Sequence, residues 1–158
     1  MKKKLPCYHK CFACGNKNPY GLKMVFSSDD KGVYSDITLS ENYIGYEGYI
    51  HGGIISTVVD EAMGWACISN KKKFYFTIEL SLKFLKPVQP NIQVHVSARV
   101  VKEEGKILYT ASEIVNNAGV VLVKSEAKFY PAKEGDNPKI LKYLSFVDSD
   151  REVGIGDI

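Results

Sequence analysis

His51-Gly52-Gly53-Ile54-Ile55-Ser56-Thr57-Val58-Val59-Asp60-Glu61-Ala62-Met63-Gly64-Trp65-Ala66 is the stretch on which the fold turns. From Gly52 to about Ser69, apolar residues (Ile54, Ile55, Val58, Val59, Ala62, Met63, Trp65, Ala66) recur at helical spacing and cover most of the circumference. A helix apolar nearly all round belongs inside, so this segment predicts the central element of the fold. The two glycines at its start leave backbone N–H groups unshielded, which suits a carbonyl oxygen or another anion. Asp60, set among Ile, Val and Ala, is costly to bury unless it is well bonded or does chemistry. Together the pair suits a site that polarises a carbonyl and activates water.

Outside the helix the period falls to two. Leu22-Lys23-Met24-Val25-Phe26 reads as a strand and Ser28-Asp29-Asp30-Lys31-Gly32 as a hairpin turn. Val33, Ser35, Ile37 and Leu39 share one face of a second strand, and a looser stretch, residues 40–50, leads into His51. Beyond the helix, Ile78, Leu80, Leu82 and Phe84 alternate with Thr77, Glu79, Ser81 and Lys83, as far as Pro87 and Pro90. Three further strands follow, with turns at Glu103-Glu104-Gly105-Lys106 and Asn116-Asn117-Ala118-Gly119. Four consecutive strands with short connections predict an antiparallel meander. The layout is α+β, one curved sheet wrapping one long helix.

At 158 residues the chain suits one domain with a single core. We divide it into an N-terminal arm (1–21), a body (22–131) and a C-terminal tail (132–158). In the tail, Asn137-Pro138-Lys139-Ile140-Leu141-Lys142-Tyr143-Leu144 predicts a brief surface helix before a poorly ordered end. A net charge of +3, spread evenly, does not argue for nucleic acid. The runs Lys2-Lys3-Lys4 and Lys71-Lys72-Lys73 read as solvated ends or loops. No apolar run reaches the ~20 residues that span a membrane, and Leu5-Pro6-Cys7 supplies no apolar signal region. A cytoplasmic protein with reduced thiols is expected.

Three of the four cysteines crowd the arm as Cys7, Cys11 and Cys14. Thiolates are zinc ligands, but this spacing has no second pair downstream. A fourth ligand would have to be His9 or a remote residue such as Cys67. No metal and no cofactor are expected, and the cysteines read as small soft residues packing the arm onto the body.

Assembled, these residues resemble the hotdog-fold acyl-CoA thioesterases, particularly the phenylacetate-pathway type. The resemblance covers about residues 11–131. Its carriers are Cys11-Phe12-Ala13-Cys14-Gly15 with Asn18-Pro19-Tyr20-Gly21-Leu22, the stretch from His51 to Gly64, and Thr77-Ile78-Glu79-Leu80 running to Pro87. Similar proteins place a carboxylate nine residues after the His, which is Asp60, and often open the next strand with Ser or Thr, here Thr77. Some carry an amide side chain six residues before the His, where this chain has Gly45.

Helix geometry adds a constraint. Gly53 and Asp60 face one side but lie ~10 Å apart along the axis, too far to act on one carbonyl. Two antiparallel helices side by side would solve this, predicting a homodimer of C2 symmetry with composite sites, or a tetramer built from it. The resemblance implies the same arrangement. Gly52 N–H, with Gly53 as second choice, would polarise the thioester carbonyl. Asp60 would activate water or attack directly, Thr77 would hydrogen-bond the water or carboxylate, and His51 would orient the loop. Lys83 and Lys86 are candidate contacts for coenzyme A phosphates. Glu61, about 100° round the helix from Asp60, reads as solvated or ion-paired; His95 reads as exposed, and Met63 and Cys67 as packing. The expected activity is hydrolysis of an acyl-CoA to free acid and coenzyme A. A non-catalytic acyl-CoA sensor is the alternative. Dehydration is disfavoured, because Tyr46 stands where such enzymes often place an Asp and no His follows Asp60 in the helix.

Overall fold

The computed structural model describes residues 3–158, so Met1 and Lys2 of the arm lie outside the described residues. The strands of the arm are β1 (Lys3–Lys4) and β2 (Cys7–Tyr8), followed by β3 (Ser27–Asp29) and β4 (Gly32–Thr38). A small hairpin, β5 (Ile44–Tyr46) and β6 (Tyr49–Ile50), precedes the helix α1 (Gly52–Lys71). Then come β7 (Tyr75–Phe84), β8 (Gln93–Glu104), β9 (Ile107–Asn116) and β10 (Val121–Pro131). The tail holds α2 (Asn137–Leu141), β11 (Leu144–Phe146) and β12 (Ser149–Glu152).

Helix α1 packs on the inner face of a seven-stranded sheet ordered β1-β3-β4-β8-β9-β10-β7. Its buried side chains are Ile55, Val58, Val59, Ala62, Met63, Trp65, Ala66 and Cys67. They meet Val33, Ile37, Val94, Val96, Leu108 and Ile114 in one core. Each fully buried Val, Ile or Met contributes on the order of 1.5–3 kcal/mol. Small residues on the sheet's inner face, among them Ala98, Ser112, Ser125 and Ala127, leave room for the helix to lie close. No helix among the described residues is long and apolar enough to cross a membrane.

Three expectations change. The strands after α1 are not one four-stranded meander: β8, β9 and β10 are, but β7 pairs with β10 at the far edge. The connection from β7 to β8, with Pro87 and Pro90, removes two ladder donors where the chain must leave that edge and cross the sheet. Residues 22–26 are not a strand, because their amides go to the arm: Leu22 N–H donates to Phe12 O (2.8 Å) and Met24 N–H to Ala13 O (2.9 Å). The tail after α2 is not loose either. Strand β11 pairs with β2 of the arm and with β12, and Leu144, Val153 and Ile158 are buried.

Candidate active site

The helix start is built by His51. Its backbone is extended (φ −60°, ψ 134°) and its Nδ1 accepts the Gly53 N–H at 2.9 Å, an N-cap made by an imidazole. Accepting that bond requires an unprotonated Nδ1, so the ring is neutral in this arrangement. The ring lies over Gly45, where a Cβ would come within 3.1 Å of His51 Cδ2. A side chain at position 45 would therefore crowd the His51 ring. With the Gly53 amide taken by the cap, the Gly52 N–H is the donor left without a partner among the described residues. Gly52 is exposed, at the positive end of the helix dipole.

Asp60 lies two turns on, partly buried, with Oδ1 accepting the Thr77 hydroxyl at 2.6 Å. Burial raises the Asp60 carboxyl above the usual range, against the opposing effect of the Thr77 hydrogen bond. Strict alternation along β7 would have turned Thr77 away from Leu80, Leu82 and Phe84. A β-bulge changes this: Lys128 pairs with Glu79 but Phe129 with Thr77, leaving Ile78 as the extra residue. Thr77 thereby joins Leu80 on the face shared with their cross-strand partners, buried Phe129 and Ala127, which looks toward α1. The bulge aims the hydroxyl at Asp60.

Asp60 and Thr77 open onto a cavity of about 290 Å³ that Trp65, Ile68, Phe74 and Phe129 also line. The arm and tail, through Tyr8, Ile140 and Leu144, close its far side, and the loop from Tyr43 to Tyr49 takes no part.

The other expected contacts are not gathered there. Lys83 pairs across the sheet with exposed Lys124, so it points to the outer face, and Lys86 lies in the exposed connection after β7. His95, on the outer face, bonds Asp36 (2.6 Å) and Asn117 (2.8 Å).

Glu61 is neither solvated nor ion-paired. Its Oε1 accepts from the Cys11 thiol (3.4 Å) and from the Trp65 indole N–H (3.1 Å), and burial pushes its carboxyl up to about 8. Cys14, also beside it, is raised by its bond to Cys11 and by burial. The sequence places Cys11 and Cys14 fifty and forty-seven positions before Glu61, and nothing local in the chain announces that they meet.

Comparison with known proteins follows the same segment. Residues 47–123 match the model of the thioesterase superfamily, a span running from the turn before β6 into β10. The chain spans about half the length of the curated relatives it matches. One, an uncharacterized mitochondrial protein of Candida albicans, is 25% identical over 130 residues, covering 78% of this chain and 56% of that protein. A thioesterase superfamily protein of known crystal structure superposes with a TM-score of 0.72 at 24% identity, over 77% of this chain and 60% of that one. A Streptococcus mutans protein solved with acetyl CoA bound gives 0.64 at 21% identity, over 69% and 88%. One long helix against a curved antiparallel sheet is the fold these structures share with this chain.

Proposed function

We propose that this hotdog-fold chain, matched by the thioesterase superfamily along its central helix, hydrolyses an acyl-CoA to the free acid and coenzyme A. The observation that carries the reading is the 2.6 Å bond from Thr77 to Asp60, held on a bulged strand at the wall of an apolar cavity. The solved relative with acetyl CoA bound supports coenzyme A as the carrier.

The thioester carbonyl oxygen takes the Gly52 N–H, at the helix end where partial positive charge collects. Thr77 occupies Oδ1 of Asp60, leaving Oδ2 to accept a proton from water. The water oxygen attacks the carbonyl carbon, the carbonyl oxygen gains charge opposite Gly52, and the C–S bond then breaks with the proton passing to the departing sulfur. A carboxylate raised toward neutrality by burial is a better base for this than a solvated one.

Gly52 and Asp60 sit eight residues apart on one unbroken helix, about 12 Å along its axis. One carbonyl cannot reach both, so Asp60 of one protomer serves the carbonyl held at Gly52 of its partner. The edge strand β7 fits a second copy of this chain. Among the described residues it has a strand neighbour only on the β10 side, and Ile78 and Phe84 in it and Leu85 just after it are each more than half exposed.

Thiol release from a panel of acyl-CoAs tests the activity: release supports hydrolysis, and tight binding without release would mean a sensor. Thr77→Val is expected to lower kcat on the order of 10- to 100-fold with little change in KM, since a hydrogen bond to a charged group is worth about 1.5–3 kcal/mol. Thr77→Ser, which keeps the hydroxyl, is expected to retain most of the rate; steady-state kinetics on both variants checks this.

A further inference from the structure

We propose that Cys11, Cys14 and Glu61 form a zinc site that clamps the N-terminal arm onto helix α1. The ligand atoms of the three residues, two sulfurs and a carboxylate oxygen, lie within 4.8 Å of one another. Tetrahedral zinc holds such atoms about 3.6–3.8 Å apart, and Cys11 Sγ to Glu61 Oε1 is already 3.4 Å. Small side-chain rotations would close the set around one ion.

The loop that carries the sulfurs is shaped for the task. Cys11 Sγ accepts the backbone N–H groups of Ala13 (3.2 Å) and Cys14 (3.4 Å), the pattern that steadies negative charge on a sulfur. The Gly15 N–H closes the turn on Cys11 O at 3.0 Å, and a Cβ at Gly15 would lie 2.4 Å from that oxygen, so only glycine fits.

Opposite stands a carboxyl whose partners are the Cys11 and Cys14 thiols and the Trp65 indole, none of them a cation. Enclosed acidic groups facing one another are costly to ionise together unless a positive ion joins them. Zinc takes thiolate and carboxylate ligands and displaces their protons as it binds. From the sequence, His9 and Cys67 are the other candidate ligands. Neither is brought to the cluster: His9 Nε2 lies 2.8 Å from Ser145 Oγ, and Cys67 is fully buried elsewhere on the helix.

Cys14 is buried away from the cavity lining, while Cys11 and Glu61 line the cavity shared with Asp60 and Thr77. The fourth coordination position is therefore left to water on the cavity side. The clamp fixes the arm to the residue next to Asp60, and so sets one wall of the cavity. This inference stands apart from the proposed hydrolysis.

The test is zinc content and affinity of the full chain, purified under reducing conditions, stripped and reloaded with zinc alone. One zinc per chain is expected, with affinity weakened at least tenfold in Cys14→Ser and in Glu61→Gln, and unchanged in His9→Ala. Cobalt in place of zinc is expected to give thiolate-to-cobalt charge-transfer absorption in the unmutated chain, a readout that needs no variant to fold. Failure of the unmutated chain to hold zinc stoichiometrically, a cobalt form without that absorption, or equal zinc affinity in Cys11→Ser/Cys14→Ser would each overturn the site.

Discussion

Asp60→Asn is expected to lower kcat for acyl-CoA hydrolysis about 10²- to 10⁴-fold, the range general-base catalysis contributes. Asparagine keeps the shape of the side chain and can still bond the Thr77 hydroxyl, but it cannot accept a proton from water. The fold is not expected to suffer. Burial already disfavours the charged form of Asp60, as its raised carboxyl shows, so a neutral isostere relieves a cost. The expected variant therefore melts at the same temperature as the unmutated chain or higher, elutes at the same size, and is nearly inactive. Thiol release and thermal unfolding measured on one preparation check both halves. An unaffected rate would remove Asp60 from the chemistry.

Gly52→Pro is expected to cost about 10²- to 10³-fold in kcat, the loss typical of deleting one donor to a developing oxyanion. Proline deletes the N–H and little else at this position. Gly52 is the first residue of α1, where proline is favoured, and His51 before it is already extended, as a residue preceding proline must be. An added Cβ would meet the Phe84 ring at 3.6 Å, an ordinary contact. Gly52→Ala makes the same contact but keeps the N–H, and is expected to stay within a few-fold of the unmutated rate. A proline variant as active as the alanine variant would show that the Gly52 amide does not hold the carbonyl.

The helix was readable because its apolar period runs unbroken for five turns, and no other packing would cover so wide an apolar surface. The placement of Gly52 at the helix start and of Asp60 two turns on was readable with it. The orientation of Thr77 was not. A bulge at Ile78 shifts the parity of β7 by one, and its cause is the register against β10, fifty residues away. The place of β7 in the sheet escaped for a similar reason, since short connections suggest neighbours and only the long proline-bearing link after Phe84 hinted otherwise. The glycine pair alone ranks Gly53 only behind Gly52 as a donor; that the Gly53 amide is taken by His51 is visible only in the fold. Glu61 was misread because its environment comes from the arm: helical spacing shows that it diverges from Asp60, but not what awaits it there. The tail looked loose because β11 and β12 are only three and four residues long, and what holds them is the pairing of β11 with β2 at the other end of the chain.

The claim that the site is shared between two chains is tested most directly by mixing the two inactive variants. Gly52→Pro and Asp60→Asn chains, unfolded together in equal amounts and refolded, should form mixed dimers in half of all pairs. Each mixed dimer would hold one intact site, with Gly52 from the Asp60→Asn chain and Asp60 from the Gly52→Pro chain. Activity near about a quarter of the unmutated level is then expected, where either variant alone gives almost none. A refolded mixture no more active than its two components, in which mixed dimers are demonstrably present, would contradict a composite site.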